Sequence, residues 1–458
     1  MEKLLSKEIK NIHFVGVGGI GMSGLANLLM SKGYKISGSD IKDTEIIAKL
    51  RKKGIEINIP HDKRAVRGKD LVCFSSAIGE DNPEVREAKA LKIPLIRRGS
   101  LLAHLLGKRQ VLAVSGSHGK TTTTSLASFV LKGAGLDLAS LIGGIPRYSE
   151  DSSWWGKGLF IVETDESDAS FLELKPFYSV ITNIDREHLN FYKSFYNLKR
   201  AFLRFAKNTQ ELVIGYADQD EVYNILKNSG KELISFGFKH RALIRAEDIK
   251  ISSQGSKFKV FYKKRFLTNL QLSLLGEHNI LNSLAVVGFC FYLGISPEKF
   301  KPLFKKFPGT RRRLEIKGSF KGVIFIDDYA HHPKEIESVI KTVSLFKRRR
   351  LVVVFQPHRF SRIKLLAREF SFCFKNVDLL IITDIYSAGE LPLAGIDIDW
   401  FIKKIKKNFK GELIYIPKEA LKKAVCFLLK KGDCLLSLGA GDINRVLEEI
   451  IEKFRTRQ

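Results

Sequence analysis

The sequence predicts an α/β protein of three domains built on largely parallel sheets. Three observations carry that expectation. Strand-like apolar runs alternate with helix-like periodic stretches along the whole chain, this pattern opens afresh at three places, and 458 residues exceed what one hydrophobic core organises. With 44% hydrophobic and 28% charged residues and no low-complexity tract, the composition is that of a folded chain, and disorder describes it poorly.

The first opening is the short apolar strand over residues 11–15. It runs into Gly16-Val17-Gly18-Gly19-Ile20-Gly21-Met22 and then an apolar-periodic helix through Met30. Glycines permit a tight turn and let backbone N–H groups approach a phosphate at the helix N-terminus. The usual ligand of this pattern is a dinucleotide, with Asp40, after a second strand over 34–38, placed to bond a ribose hydroxyl. A turn made only for structural reasons has the same glycines, so the motif alone leaves both readings open.

The second opening is more specific. A buried strand over 110–114 leads to Gly116-Ser117-His118-Gly119-Lys120-Thr121-Thr122 and a helix to Leu131. This is P-loop chemistry: backbone N–H groups cradle phosphates, Lys120 reaches the β/γ-phosphates and a threonine hydroxyl binds Mg²⁺. The loop is two residues shorter between its glycines than the general Walker A form.

Polar clusters follow it. A strand over 159–162 ends in Glu163, Asp165, Glu166 and Asp168, and one over 178–182 ends in Asn183, Asp185, Glu187 and His188. A carboxylate at a strand end beside a P-loop suits a metal that offsets triphosphate charge, which points first to Glu163, with His188 as ligand to a second metal. Gly276 opens a helix running to Leu293, on which Asn279 and Asn282, three residues apart, can present both amides to a base or sugar. Asn279 as a plain helix cap is equally consistent with the chemistry. Arg311-Arg312-Arg313 can likewise supply an arginine to a phosphoryl group or form a solvated patch.

The third opening comes after Gly322. A strand over 323–326 leads to Asp327-Asp328-Tyr329-Ala330-His331-His332-Pro333, with Pro333 suited to the first turn of a helix. A strand over 351–355 leads to Gln356-Pro357-His358-Arg359-Phe360-Ser361-Arg362 and another helix, and further strands are predicted over 379–383 and 434–438. Ligand groups in open α/β sheets gather at the carboxyl ends of strands, where these clusters lie.

Charge and cysteines set outer limits. The net charge of +28, from 77 Lys+Arg against 49 Asp+Glu, raises nucleic acid as a partner. The basic residues are dispersed, however, with only short runs such as Lys347-Arg348-Arg349-Arg350 and no RNA-binding aromatic motif or zinc finger. A general surface habit is the preferred reading, and no nucleic-acid partner is expected. Cys73, Cys290, Cys373, Cys426 and Cys434 lack metal-ligand spacing and are expected as free thiols. Residues 1–10 lack the apolar segment of a signal peptide, and no apolar run approaches the roughly 20 residues of a membrane span, so a cytoplasmic location is expected.

Taken together, these segments resemble the Mur ligases, and among them the members that add L-alanine to UDP-N-acetylmuramate. The resemblance runs from Ile12 to Gly439-Ala440-Gly441-Asp442-Ile443. Its most specific parts are the short P-loop with its four threonines and residues 163–171, 327–333 and 356–362; Ser75-Ser76-Ala77-Ile78 also matches. The resemblance implies a Rossmann-like UDP-substrate domain over 1–107, a central P-loop ATPase domain over 108–314 and a Rossmann-like amino-acid domain over 315–458. It implies that the first glycine turn holds a UDP-sugar diphosphate, not NAD, with contacts at Gly18, Gly19, Ile20, Gly21, Met22, Ser39, Asp40, Ser75 and Ser76. ATP contacts are implied at Gly116, Ser117, His118, Gly119, Lys120, Thr121, Thr122, Asn279, Asn282 and Arg312, and ligands to Mg²⁺ or Mn²⁺ at Thr121, Glu163 and His188. Lys120, Glu163, His188 and Arg312 would then be the catalytic set. Tyr329, His331, Arg359 and Arg362 would form the alanine site, where an arginine fork suits the carboxylate.

The implied reaction passes through an acyl phosphate to ADP and phosphate, in a monomer or homodimer. Arg311 and Leu314 depart from the usual Gly and Phe of the resembling sequences, and Ser117 stands where Thr is commoner. Phe202 falls where some relatives carry a carbamylated lysine, so no carbamate is predicted. Three rivals remain at this level: a ligase attaching a recycled tripeptide to the same nucleotide, a nucleic-acid-binding ATPase, and a nicotinamide-dependent oxidoreductase.

Overall fold

The computed structural model describes residues 9–456 and contains three sheets. The first holds β1 (Asn11–Val15), β2 (Lys35–Ser39), β3 (Glu56–Asn58), β4 (Leu71–Phe74) and β5 (Leu95–Arg97), in the order β3-β2-β1-β4-β5. Every pairing in it is parallel. The strand order reverses between β1 and β4, and the crevice at such a switch point is where an open α/β sheet binds its ligand. The glycine turn after β1 and Ser75 after β4 both open there.

The second sheet holds β6 (Val111–Ser115), β7 (Leu138–Leu141), β8 (Ser153–Trp154), β9 (Leu159–Glu163), β10 (Tyr178–Ile181), β11 (Leu212–Tyr216), β12 (Glu232–Gly237), β13 (Ile244–Ser252), β14 (Gly255–Tyr262) and β15 (Arg265–Leu272). Their order is β15-β14-β13-β12-β11-β10-β6-β9-β7-β8. β6, β9 and β10 are buried along nearly their whole length, as strands covered on both faces must be, and this is why they read as apolar runs. β13 to β15 escaped the sequence reading. Buried and exposed residues alternate along much of these strands, and the polar half of that alternation diluted the apolar signal.

The third sheet holds β16 (Glu315–Phe320), β17 (Val323–Asp328), β18 (Arg350–Phe355), β19 (Leu379–Ile382), β20 (Glu412–Tyr415) and β21 (Asp433–Leu438), in the order β16-β17-β21-β18-β19-β20. Only β16 with β17 is antiparallel. The helices that cover it are strongly one-sided: Pro333–Val343 buries Ile336, Val339, Ile340 and Val343, and Ile443–Thr456 buries Val446, Leu447, Ile450 and Ile451.

Boundaries differ from expectation by a residue or so. β2 starts at Lys35, not Tyr34, because the Tyr34 N–H still closes the preceding helix on Leu29 O (3.2 Å). The chain separates into two compact units. One holds residues up to Ile249 with Lys257–Ser273 and Asn279–Pro308; the other holds Lys250–Ser256, Leu274–His278 and everything from Gly309. The first two sheets belong essentially to the first unit and the third sheet to the second. Cys73, Cys290, Cys373 and Cys434 are buried free thiols, and Cys426 is half-buried. Among the described residues, no helix is long and apolar enough to cross a membrane.

Candidate active site

The loop after β6 is fixed by sterics before any ligand arrives. Gly116 has φ 133°, and a Cβ there would lie 2.1 Å from Thr182 Oγ1; Gly119 has φ 81°, and its Cβ would meet Asn282 Oδ1 at 2.5 Å. Only glycine fits either position. Between them the loop is tied to the end of β10. Ser117 N–H donates to Asn183 O (3.0 Å), His118 N–H donates to Asn183 Oδ1 (2.9 Å), and Asp185 N–H donates to Ser117 Oγ (2.8 Å). His118 Nε2 lies 3.3 Å from Asp185 Oδ2. The helix Lys120–Gly133 begins on Gly119 with no side-chain cap. Its first N–H groups are therefore free to take a phosphate, with the positive end of the helix dipole behind them.

Side chains around this turn carry the charge chemistry. Lys120 Nζ donates to Gly116 O (2.5 Å) and to Glu166 Oε1 (2.7 Å). Burial alone would lower its pKa, but Glu166 and Asp165 outweigh that and raise it, so Lys120 is a fixed cation. Burial pushes the Glu166 carboxyl up to about 7 against the opposing pull of Lys120. Among the described residues its Oε2 has no hydrogen-bond partner, although the side chain is 1% exposed. Thr121 Oγ1 donates to Glu163 Oε1 (3.0 Å), and Gly143 N–H donates to Glu163 Oε2 (2.7 Å). A Cβ at Gly143 would sit 2.4 Å from that carboxylate, so a second glycine turn, unremarked in the sequence, makes room for Glu163.

His188, with φ 56°, stands before the short helix Leu189–Tyr192. Its Nε2 lies 3.8 Å from Glu166 Oε1 and 3.7 Å from Glu187 Oε2. Glu166, Glu187 and His188 can bring one ligand atom each to within 4.8 Å of one another. The structure thus pairs Thr121 with Glu163 and groups His188 with Glu166 and Glu187. Glu166 is the residue the sequence reading passed over. Its signal was a further carboxylate three residues beyond Glu163, after Asp165, and nothing in the sequence said it would be buried against the lysine.

Asn279 and Asn282 are both buried, and Asn282 Nδ2 donates to Asn279 Oδ1 (3.2 Å). The capping alternative for Asn279 does not hold, because the helix Glu277–Tyr292 has begun two residues earlier. Phe202 is a fully buried core residue packed on Phe171, with ring centroids 5.2 Å apart.

At the first glycine turn, Gly18 N–H donates to Asp40 Oδ2 (2.8 Å) and Ile41 N–H to Asp40 Oδ1 (2.7 Å), so Asp40 organises the turn. The helix Ile20–Ser31 starts on Gly19 without a side-chain cap, like the one after the P-loop. A Cβ on Gly21 would lie 3.2 Å from Arg98 Nη1, and Arg98 also reaches Asp165 Oδ2 at 3.5 Å. Arg98 is a second residue the sequence reading missed. Met22 is buried in the core and Ser39 Oγ is spent on Glu84. What those two offer a ligand is backbone. Ser76 is exposed, and Ser75 Oγ accepts the Ala77 N–H (3.3 Å).

The second unit assembles the remaining predicted residues. Tyr329 and His331 meet edge to face with centroids 5.5 Å apart, His331 lies 5.4 Å from His358, and His358 stacks on Tyr386 at 13°. Arg362 Nη1 sits 2.7 Å from His358 Nδ1. Burial lowers the His331 pKa to about 3, with Arg362 pulling the same way against Glu335. Burial, His331 and Arg362 lower that of His358 to about 2. Both rings are therefore neutral near pH 7, and the arginines hold the positive charge. His358 and Tyr386 complete a wall that spacing alone did not reveal. Arg359 has φ 67° and its side chain remains 45% exposed, within 4.0 Å of Glu390.

The solvated-patch alternative holds for Arg311, which is exposed, and fails for Arg312. Arg312 Nη1 donates to Gly441 O (2.9 Å) and Nη2 to Gly439 O (2.5 Å). Its guanidinium lies 3.4 Å from Asp327 Oδ2 and 5.0 Å over the Tyr329 ring. Burial raises the Asp327 carboxyl to about 7 despite Arg312. His188, Arg312 and Arg359 all carry positive φ without being glycine.

A short P-loop with a lysine, a threonine–carboxylate pair beside it, and parallel sheets on either side in sequence define a phosphate-binding α/β protein of the P-loop kind. Three profiles match in order: "Mur ligase family, catalytic domain" over residues 11–110, "Mur ligase middle domain" over 114–290 and "Mur ligase, glutamate ligase domain" over 312–441. The chain belongs to the Mur ligase family. It is 40% identical over 455 residues to a UDP-N-acetylmuramate–L-alanine ligase of Geotalea uraniireducens, covering 98% of this chain and 99% of that one. It is also 40% identical over 456 residues to the protein of that name from Aquifex aeolicus, with the same coverage. Among solved structures it is similar to UDP-N-acetylmuramate-alanine ligase from Thermotoga maritima, with TM-score 0.87, 31% identity and coverage of 98% and 100%. A murein peptide ligase from Psychrobacter arcticus shares the fold, with TM-score 0.74 at 21% identity over 98% and 99% of the two chains.

Proposed function

We propose that this chain joins L-alanine to the lactyl carboxylate of UDP-N-acetylmuramate, cleaving ATP to ADP and phosphate, as a step in making cell-wall precursor in the cytoplasm. The observation that carries the reading is end-to-end identity of 40% to ligases named for that reaction. The geometry supplies a mechanism for it.

Lys120, Gly119 and the uncapped helix start behind them receive the triphosphate, the lysine exchanging its loop carbonyls for phosphate oxygens. Thr121 and Glu163 offer hard oxygen donors, and Glu166 keeps a buried carboxylate oxygen unpartnered, so these residues fit a Mg²⁺ ion. Bound there, Mg²⁺ would offset charge on the transferring phosphoryl group. Attack by the substrate carboxylate oxygen on the γ-phosphorus expels ADP and leaves an acyl phosphate. Attack by the alanine amine on its carbonyl carbon then expels phosphate, the amine losing a proton as the amide forms. Arg359 and Arg362 suit the alanine carboxylate. The neutral His331 and His358 and the Tyr329 ring suit its small side chain and add no competing charge.

The rival ligase for a recycled tripeptide shares the fold, so fold does not separate the two. Alanine is preferred on the identity of the full-length relatives. The deciding experiment measures ADP release with UDP-N-acetylmuramate, ATP and Mg²⁺, adding L-alanine, glycine, L-serine or the tripeptide in turn. ADP rising with L-alanine, and the ligated product found by mass, is the expected result. Turnover with the tripeptide alone would reassign the substrate, and AMP with pyrophosphate would overturn the chemistry.

A further inference from the structure

A second charged cluster lies away from the P-loop, buried in the first domain. Glu84, 0% exposed, is the second residue of the helix Pro83–Ala90, whose cap Asn82 accepts the Glu84 N–H (2.9 Å). Its carboxylate turns inward to the strand ends of the first sheet. Oε2 accepts from Ser39 Oγ (2.5 Å) and lies 3.3 Å from His13 Nε2 and 3.5 Å from His61 Nδ1. Oε1 accepts the Asp62 N–H (2.9 Å). His13 Nδ1 is 2.9 Å from Ser37 Oγ, and His61 Nδ1 is 2.9 Å from Ser39 Oγ. Burial pushes Glu84 up, but hydrogen bonds from His13, His61 and Ser39 overcome it and hold the carboxyl down at about 2.

Packing does not require this. An apolar residue would fill the space without the desolvation cost of an ion, whereas a satisfied buried network fixes geometry. Its position shows what it fixes. Ser39 O accepts the N–H groups of Gly16 (2.9 Å) and Val17 (3.0 Å), the first residues of the glycine turn. Asp40, next in sequence, accepts the Gly18 N–H. Glu84 thus clamps Ser39 from behind while Ser39 and Asp40 carry the turn in front. The same carboxylate orients the side chain of His61 beyond β3 and the backbone at Asp62.

We propose that Glu84 is a positioning residue for the nucleotide-sugar substrate: it touches no ligand, but sets the glycine turn and His61 in the arrangement that binds the UDP moiety. This rests on the first domain being the UDP-substrate site. Outer-shell groups that orient metal ligands cost about 10–100-fold in affinity or activity when lost, and the lower end of that range is the expectation carried over to this turn.

Calorimetric titration of the full chain with UDP-N-acetylmuramate, and separately with a non-hydrolysable ATP analogue, tests it. Glu84→Gln is expected to bind the UDP compound about 10-fold more weakly. It should bind the ATP analogue as the wild type does and raise KM for the UDP substrate at constant kcat. Wild-type affinity for the UDP compound in the variant would overturn the inference and leave the domain's role standing. Equal losses for both nucleotides would overturn it in favour of a general folding defect. A wild-type protein that binds the ATP analogue but not the UDP compound would sink the reading of the domain itself. Should Glu84→Gln not fold, His13→Asn decides, since it removes one partner of the carboxylate from within β1 and leaves the turn's own residues in place. A several-fold selective loss of UDP affinity is expected, and no loss overturns the proposal.

Discussion

After β1 the chain turns through Gly16, Gly18 and Gly19 into one helix, and after β6 it turns through Gly116 and Gly119 into another. Both helices start on a glycine that no side chain caps. Around the second turn stand a buried lysine, a threonine–carboxylate pair and a further buried acid with an unpartnered oxygen. Around the first stand Asp40, spent on the backbone of the turn, and Arg98 at its edge. An uncapped helix start is enough to hold a phosphate. Moving a phosphoryl group also takes a fixed cation and oxygen ligands for a metal, and only the second turn has them.

That contrast predicts which perturbations separate the two ligands. The largest effect is expected from Lys120→Ala, which removes the one cation reaching into the P-loop carbonyls. Ligation should fall by at least about 100-fold, while calorimetry shows unchanged affinity for UDP-N-acetylmuramate. Weakened UDP binding would mean the two turns are not independent. Removing divalent metal with a chelator comes next. ADP release should stop and recover on adding Mg²⁺, while UDP-substrate binding stays the same, since the Asp40 carboxylate at the first turn is taken up by backbone N–H groups and the donors suited to a metal sit at the P-loop.

The same contrast explains what could be seen in the sequence. Both turns were legible because glycine spacing reports backbone geometry directly, and Lys120 and Thr121 were legible because their roles follow from position within the loop. β6, β10, β17 and β18 stood out as continuous apolar runs. Arg98, Glu84 and Tyr386 were not legible, and Glu166 and His358 showed only as members of polar clusters, without a role. Their significance comes from burial and from partners distant in sequence: 46 residues separate Glu166 from Lys120, and 71 separate Glu84 from His13. Asn279 shows the intermediate case, since two equally good sequence readings were separated only when the helix was seen to start at Glu277.

Alanine at one glycine of each turn sharpens the comparison further. At Gly116 the added Cβ would lie 2.1 Å from Thr182 Oγ1 and 2.9 Å from Asn183 O, at a φ of 133°. Backbone must move, so Gly116→Ala should lower the melting temperature and abolish ATP-analogue binding together, at a cost of about 1–3 kcal/mol from strain alone. At Gly18 the φ is ordinary and the obstacle is the Asp40 carboxylate, 2.8 Å away, which can swing aside. Gly18→Ala should leave the melting temperature nearly unchanged and weaken only UDP-substrate binding, by about 10-fold, the loss of one charged hydrogen bond. A large drop in stability for Gly18→Ala would show that the first turn is as rigidly built as the second.

The smallest effect is expected at Asp40 itself. Asp40→Asn keeps one carbonyl acceptor for either Gly18 or Ile41 and replaces the other oxygen with a donor, which a backbone N–H cannot use. The carbonyl goes to the part-buried Gly18 N–H, which keeps a neutral bond, and the exposed Ile41 N–H turns to water, about 1 kcal/mol in all. UDP-substrate affinity should fall about fivefold, with kcat and ATP-analogue affinity as in the wild type. If ATP affinity fell by the same factor, Asp40 would be acting through the fold as a whole. If neither changed, Asp40 would be a turn residue only, and the substrate would be held by backbone and Arg98 without it.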